Sequence, residues 1–138
     1  MSAASLLVLA SAAVVGTLGS LHLVYTFFGP KLRPRNPQVI AAMAADHMGI
    51  TRRTSVWKAW IGFNASHSLG VLLFGLVYGY LALCASAFLF GSVFLAVLGG
   101  VFLLAFVALA WRYWFRVPLT GVTLATILYI AGFAAARL

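Results

Sequence analysis

The sequence predicts an all-α integral membrane protein, a four-helix up-and-down bundle with a short interfacial helix between its first two spans. Three observations carry that expectation: the apolar content, four windows of about 20 apolar residues, and the one-sided placement of the basic side chains. Of 138 residues, 64% are hydrophobic and 7% are charged, and the mean hydropathy is +1.10. A soluble domain carries about a quarter charged residues, so the apolar excess must face something other than water. The same composition excludes a disordered chain, and a single cysteine, Cys84, excludes an internal disulfide framework. One transmembrane domain is expected to occupy the chain from Met1 to Leu138.

The first window runs from about Ala3 to Phe28. It has no basic leader and exceeds the apolar core of a signal peptide, so it is expected to be retained as a span. The second runs from about Thr54 to Leu83 and the third from about Phe88 to Phe115. The fourth is expected to begin after Pro118, which ends the preceding helix and suits the start of the next, and to continue to the C-terminus.

Between the first two spans lies the inner connector, Gly29 to Arg53. Its opening stretch, Gly29 to Pro37, holds three prolines among nine residues and cannot be helical. Asn36 can then cap a short helix with Pro37 in its first turn, and Gly49 can end it. Val39, Ile40, Met43 and Ala44 would share one face of that helix, set against the bilayer surface or against the protein itself.

Orientation follows from the cations, because Lys and Arg flanking spans are retained in the cytoplasm. Lys31, Arg33, Arg35, Arg52, Arg53, Lys58, Arg112 and Arg116 fall on one side of a four-span arrangement, and Arg137 alone on the other. Both termini are therefore expected outside a bacterial inner membrane, with the first and third connections inside. Lys31, Arg33, Arg35, Arg52 and Arg53 also form a candidate site for anionic lipid headgroups. Nothing in this basic cytoplasmic loop resembles a nucleic-acid motif, and no nucleic-acid partner is expected.

Small residues that let helix backbones approach recur on every span: Ala12, Gly16 and Ser20; Gly62, Ser66 and Gly70, then Gly75 and Gly79; Ser92, Ala96 and Gly100; Gly121 and Ala125. They serve packing within one bundle or between copies, so a homo-oligomer or a larger membrane complex is compatible with them. Trp57, Trp60, Trp111, Tyr113 and Trp114 fall at inner span ends, where an interfacial aromatic belt belongs.

Polar residues at depths that should be dry form the candidate site. Trp57, Trp60, Asn64 and His67 follow spacings of three and four and share a helix face. His22 lies about seven residues, or ~10 Å, inside the first span, at a depth similar to His67. Arg112 approaches from the third span with a stem long enough to snorkel. Intramembrane ionisable groups tend to turn into a bundle and mark function. Three readings of His22, Trp57, Trp60, Asn64, His67 and Arg112 stand side by side. They are polar cross-links between helices, or a cleft for a lipid-like molecule with a polar head, or axial ligands of a haem or chlorophyll-type pigment.

Catalysis has less to work with. Asp46 is the sole acidic residue and there is no glutamate, so paired-carboxylate chemistry is absent from one chain. His47 could join His22 and His67 around a metal, but no close histidine spacing of the zinc kind occurs, and no metal is expected. Asp46 and His47 are adjacent and would diverge on a helix, and Ser66 and Ser68 flank His67 without a carboxylate to complete a triad. Asn64-Ala65-Ser66 matches the glycosylation pattern but lies within the bilayer. Four short spans also lack the broken helices and repeated halves of a transporter.

His22 to Arg35, then Ile50-Thr51-Arg52, then Trp57 to Ser68 together resemble a group of small bacterial four-span membrane proteins with no assigned activity. The resemblance covers most of the chain, is distinctive in the first loop and second span, and implies the same architecture and a bacterial inner membrane. It brings no catalytic or binding residue with it. The function expected is non-catalytic: an accessory subunit, or a binder of a lipid-like hydrophobic molecule. A haem or pigment carrier is the alternative, and a small membrane enzyme the third.

Overall fold

The computed structural model describes residues 1–138. It is mostly helical, in the order α1 (Ala3–Phe27), α2 (Pro37–Ala45), β1 (His47–Met48), β2 (Thr51–Ser55), α3 (Val56–Cys84), α4 (Ser86–Gly91), α5 (Val93–Tyr113) and α6 (Arg116–Ala135). Helices α1, α3, α5 and α6 are each long and apolar enough to cross a membrane. The chain divides into two compact units, one of Met1–Leu18 with Val71–Leu138, the other of Gly19–Gly70.

The first unit is a four-helix bundle built from the N-terminal part of α1, the C-terminal part of α3, and α5 and α6. Val8, Ala12, Val15, Phe74, Tyr78, Leu103, Ala125 and Tyr129 belong to its buried core. Lipid supplies no hydrophobic drive between helices, so backbone approach and polar contacts must hold them. A Cβ added at Gly75 would meet the Ala12 carbonyl at 3.0 Å and Gly16 Cα at 3.1 Å, and one at Gly132 would meet Val8 Cγ2 at 2.7 Å. The Ser11 hydroxyl of α1 donates to the Ala125 carbonyl of α6 at 2.7 Å. On α5, the Leu95 carbonyl accepts from Tyr78 at 2.7 Å and from Tyr129 at 3.0 Å. Gly99 lies one turn on, where a Cβ would overlap the Tyr129 hydroxyl and meet Cζ of both tyrosines at 2.7 Å. Every buried side-chain polar atom has a hydrogen-bond partner, as an apolar solvent demands.

Several expectations about element boundaries and packing require correction. The expected third span, Phe88 to Phe115, is not one helix: α4 inserts Leu89 into the core, and Ser92 then adopts extended backbone and caps α5 (Val93–Tyr113) by accepting the Leu95 N–H. Ser92 therefore serves as a cap and not as a helix-packing position. On α5 the close approach belongs to Gly99, while Gly100 has open space in the Cβ direction, as do Gly62 and Gly70 on α3. Helix α6 starts at Arg116, two residues before Pro118. Its first-turn N–H groups have no intrahelical partner, so the ring is tolerated there.

The second unit holds the end of α1, the connector and the start of α3. Gly29 takes φ +83°, a left-handed conformation that lets the chain leave α1. Asn36 caps α2 by accepting the Gln38 N–H at 2.9 Å, with Pro37 at the first helical position. Helix α2 ends at Ala45, not at Gly49. Gly49 sits instead with Ile50 between the paired residues Met48 and Thr51 of an antiparallel hairpin, the strand structure that an all-helical reading omits. The Asp46 carboxylate accepts the His47 backbone N–H at 2.8 Å. The His47 ring donates from Nδ1 to the Thr54 carbonyl at 3.2 Å. Strand β2 runs directly into α3.

Candidate functional site

Within the second unit, α1 brings His22 and α3 brings Asn64 and His67 together. His22 Nε2 lies 2.9 Å from Asn64 Oδ1, and the His22 and His67 rings meet edge to face with centroids 5.1 Å apart. The local helix chemistry orients both partners. Asn64 Nδ2 donates to the Trp60 carbonyl one turn back at 2.8 Å, which leaves Oδ1 as the acceptor facing α1. His22 Nε2 is accordingly the donor, and Nδ1 is the second polar atom of that imidazole. Thr26 donates to the His22 carbonyl at 2.8 Å and Ser68 to the Asn64 carbonyl at 2.9 Å, so each hydroxyl gives its proton to a carbonyl of its own helix.

Asn64 and Ser68 are buried, whereas both histidines are half-buried. Phe63, 72% exposed, stacks on the His67 ring with centroids 6.5 Å apart and an interplanar angle of 19°. His67 therefore lies beside an exposed apolar side chain.

The other expected site residues divide. Trp60 is tied down, its indole N–H donating to the Leu32 carbonyl of the connector at 3.1 Å, so it can offer a ligand its face but not its N–H. Trp57 is half-buried near the start of α3. Arg112 belongs to the bundle unit, exposed in the last turn of α5 with its guanidinium 5.2 Å from the Tyr113 ring centroid. The five expected headgroup contacts, Lys31, Arg33, Arg35, Arg52 and Arg53, are all exposed. Lys31 donates to the Tyr25 hydroxyl at 2.9 Å and lies 4.0 Å from that ring's centroid. Sequence reasoning missed the Trp60–Leu32 bond and the tyrosine pair on Leu95. The first depends on the path of a proline-rich loop, and the second on helix rotation.

The interactions that the geometry shows within this cluster are hydrogen bonds and ring contacts. No three His, Cys, Asp or Glu side chains converge to hold a metal ion. Bis-histidine ligation would need the rings to address one metal from opposite faces of a macrocycle. His22 and His67 are in edge contact, which leaves no layer for a macrocycle between them. Ligation by His67 alone is the form of that reading compatible with the geometry.

The fold thus defines a small protein with four candidate membrane spans and a polar histidine–asparagine cluster within two of them. No protein-family model, no curated protein and no solved structure matches this chain.

Proposed function

We propose that the protein is a non-catalytic binder of a lipid-like molecule, whose polar head hydrogen-bonds at His22 and His67 while its apolar body lies along α3 beside Phe63. One observation carries this reading: the half-buried His22 imidazole, oriented by Asn64, contacts His67, and His67, also half-buried, stacks on the exposed Phe63. Helix cross-linking alone needs one polar edge of the His22 ring, and Asn64 takes it. The second edge, at a depth where water is scarce, suits a ligand head that supplies its own hydrogen-bonding group. The setting we propose is a bacterial inner membrane, with both termini outside, the connector inside and the protein serving a larger complex as its accessory subunit.

Organic extraction and mass spectrometry of protein purified from its native membrane in mild detergent test the reading. Wild type should carry one lipid-like species in near-equimolar amount, and His67→Leu should lose it while keeping its helical circular dichroism. Identical lipid complements in the two proteins would reduce the cluster to helix packing. An absorption spectrum of the same material addresses the alternative, since a sharp visible band lost in His67→Leu would replace the lipid reading with a pigment carrier.

A further inference from the structure

We infer that the connector is a second lipid-binding element, an amphipathic clamp for anionic phospholipid headgroups with Ile50 as its apolar anchor. It is separate from the histidine cluster. Residues 28–55 are bracketed by two membrane spans, α1 ending at Phe27 and α3 starting at Val56. The whole segment must therefore return to the bilayer surface it left. Arg53 is three residues from the first residue of α3, about 10 Å of extended chain, so its guanidinium reaches the headgroup layer.

Two features of the segment lack a counterpart within the chain. One is charge: Arg33, Arg35, Arg52 and Arg53 are exposed, as is Lys58 in the first turn of α3, while Lys31 alone is engaged, by Tyr25. The only acidic side chain, Asp46, is occupied by the His47 backbone N–H. The other is apolar surface. Ile50, at the turn of the hairpin, is 92% exposed. Helix α2 packs beside β2 yet has no fully buried residue: Val39 is exposed, and Ile40 and Met43 are half-buried. A segment with unmatched cations and an uncovered apolar side matches an anionic leaflet, which offers phosphates to the cations and acyl chains to Ile50. Neither a neutral leaflet nor water supplies both.

The test places an environment-sensitive fluorophore at the tip. Ile50→Cys is made in a Cys84→Ser background, because Cys84 is the single, exposed cysteine, and labelled with nitrobenzoxadiazole. The full chain is then reconstituted in nanodiscs of phosphatidylcholine alone or mixed with phosphatidylglycerol. Emission should shift to the blue in the anionic discs only, be quenched there by brominated acyl chains, and revert in high salt. Arg52→Gln with Arg53→Gln should abolish the shift, and native mass spectrometry should show the preference for retained phosphatidylglycerol falling about fivefold per cation removed. Equal emission in the two kinds of disc would overturn the inference. So would a shift that needs added RNA in place of anionic lipid, because the cations would then serve another polyanion.

Discussion

Replacing Gly99 by alanine should destabilise the bundle, whereas the same change at Gly100 should not. The added Cβ at Gly99 overlaps the Tyr129 hydroxyl and comes within 2.7 Å of Cζ in both Tyr78 and Tyr129. Both rings are buried and tethered to the Leu95 carbonyl, so neither can swing aside without losing its bond. Overpacking of this kind costs about 1–3 kcal/mol. Two displaced interhelical hydrogen bonds add about 0.6 kcal/mol each. At Gly100 nothing lies within 4 Å of the added atom, and the gain in helix propensity is common to the two sites. Comparing the variants cancels that gain and leaves a difference of about 2–4 kcal/mol, from the overpacking and hydrogen-bond terms together. Unfolding by sodium dodecyl sulfate titration in mixed micelles, followed by circular dichroism, reads it directly. Stabilities that agree within about 0.5 kcal/mol, the scatter expected of neutral substitutions, would refute the reasoning.

Other contacts make similarly local predictions. Asn64→Leu removes the acceptor of His22 and should lower stability by about 0.6–2 kcal/mol, with a change in the His22 ring resonances that His47 does not share. Ser11→Ala severs the bond to Ala125 across α1 and α6 and should cost about 0.6 kcal/mol in the same titration. Gly29→Ala forces a side chain onto φ +83°, a strain of about 1–2 kcal/mol. Faster amide exchange in the Gly29–Pro37 stretch, with exchange of the bundle unit unchanged, is the expected readout.

The parts of this fold legible in the sequence are those governed by one strong physical constraint. Hydrocarbon thickness dictates span length, so α1, α3, α5 and α6 stand out as apolar windows. Asn36 followed by Pro37 marks the start of α2, since cap and fixed φ act within two residues. The hairpin was not legible because Thr51-Arg52-Arg53-Thr54-Ser55 has no apolar alternation to announce a strand. Ser92 hid inside a continuous apolar run, where a cap and a packing serine look alike. Choosing between Gly99 and Gly100 needs a helix rotation of about 100° to be known, and adjacent glycines carry no such phase. For the candidate site, helical spacing grouped Asn64 with His67 and depth matched them to His22. What spacing cannot supply is the amide orientation that points Asn64 Oδ1 at His22, because that follows from the Trp60 carbonyl one turn back.

The central claim, that His22 and His67 hold the polar head of a lipid-like molecule, is tested most directly by nitrogen-15 spectroscopy of histidine-labelled protein before and after exhaustive delipidation. The chain has three histidines, and His47, bonded to Thr54 in the hairpin, is the internal control. The account predicts that the ring nitrogens of His22 and His67 shift when the native lipid is stripped and return when the extracted lipid is restored, while His47 stays fixed. Histidine spectra unchanged by delipidation would contradict it and leave the cluster as a hydrogen-bonded link between two helices.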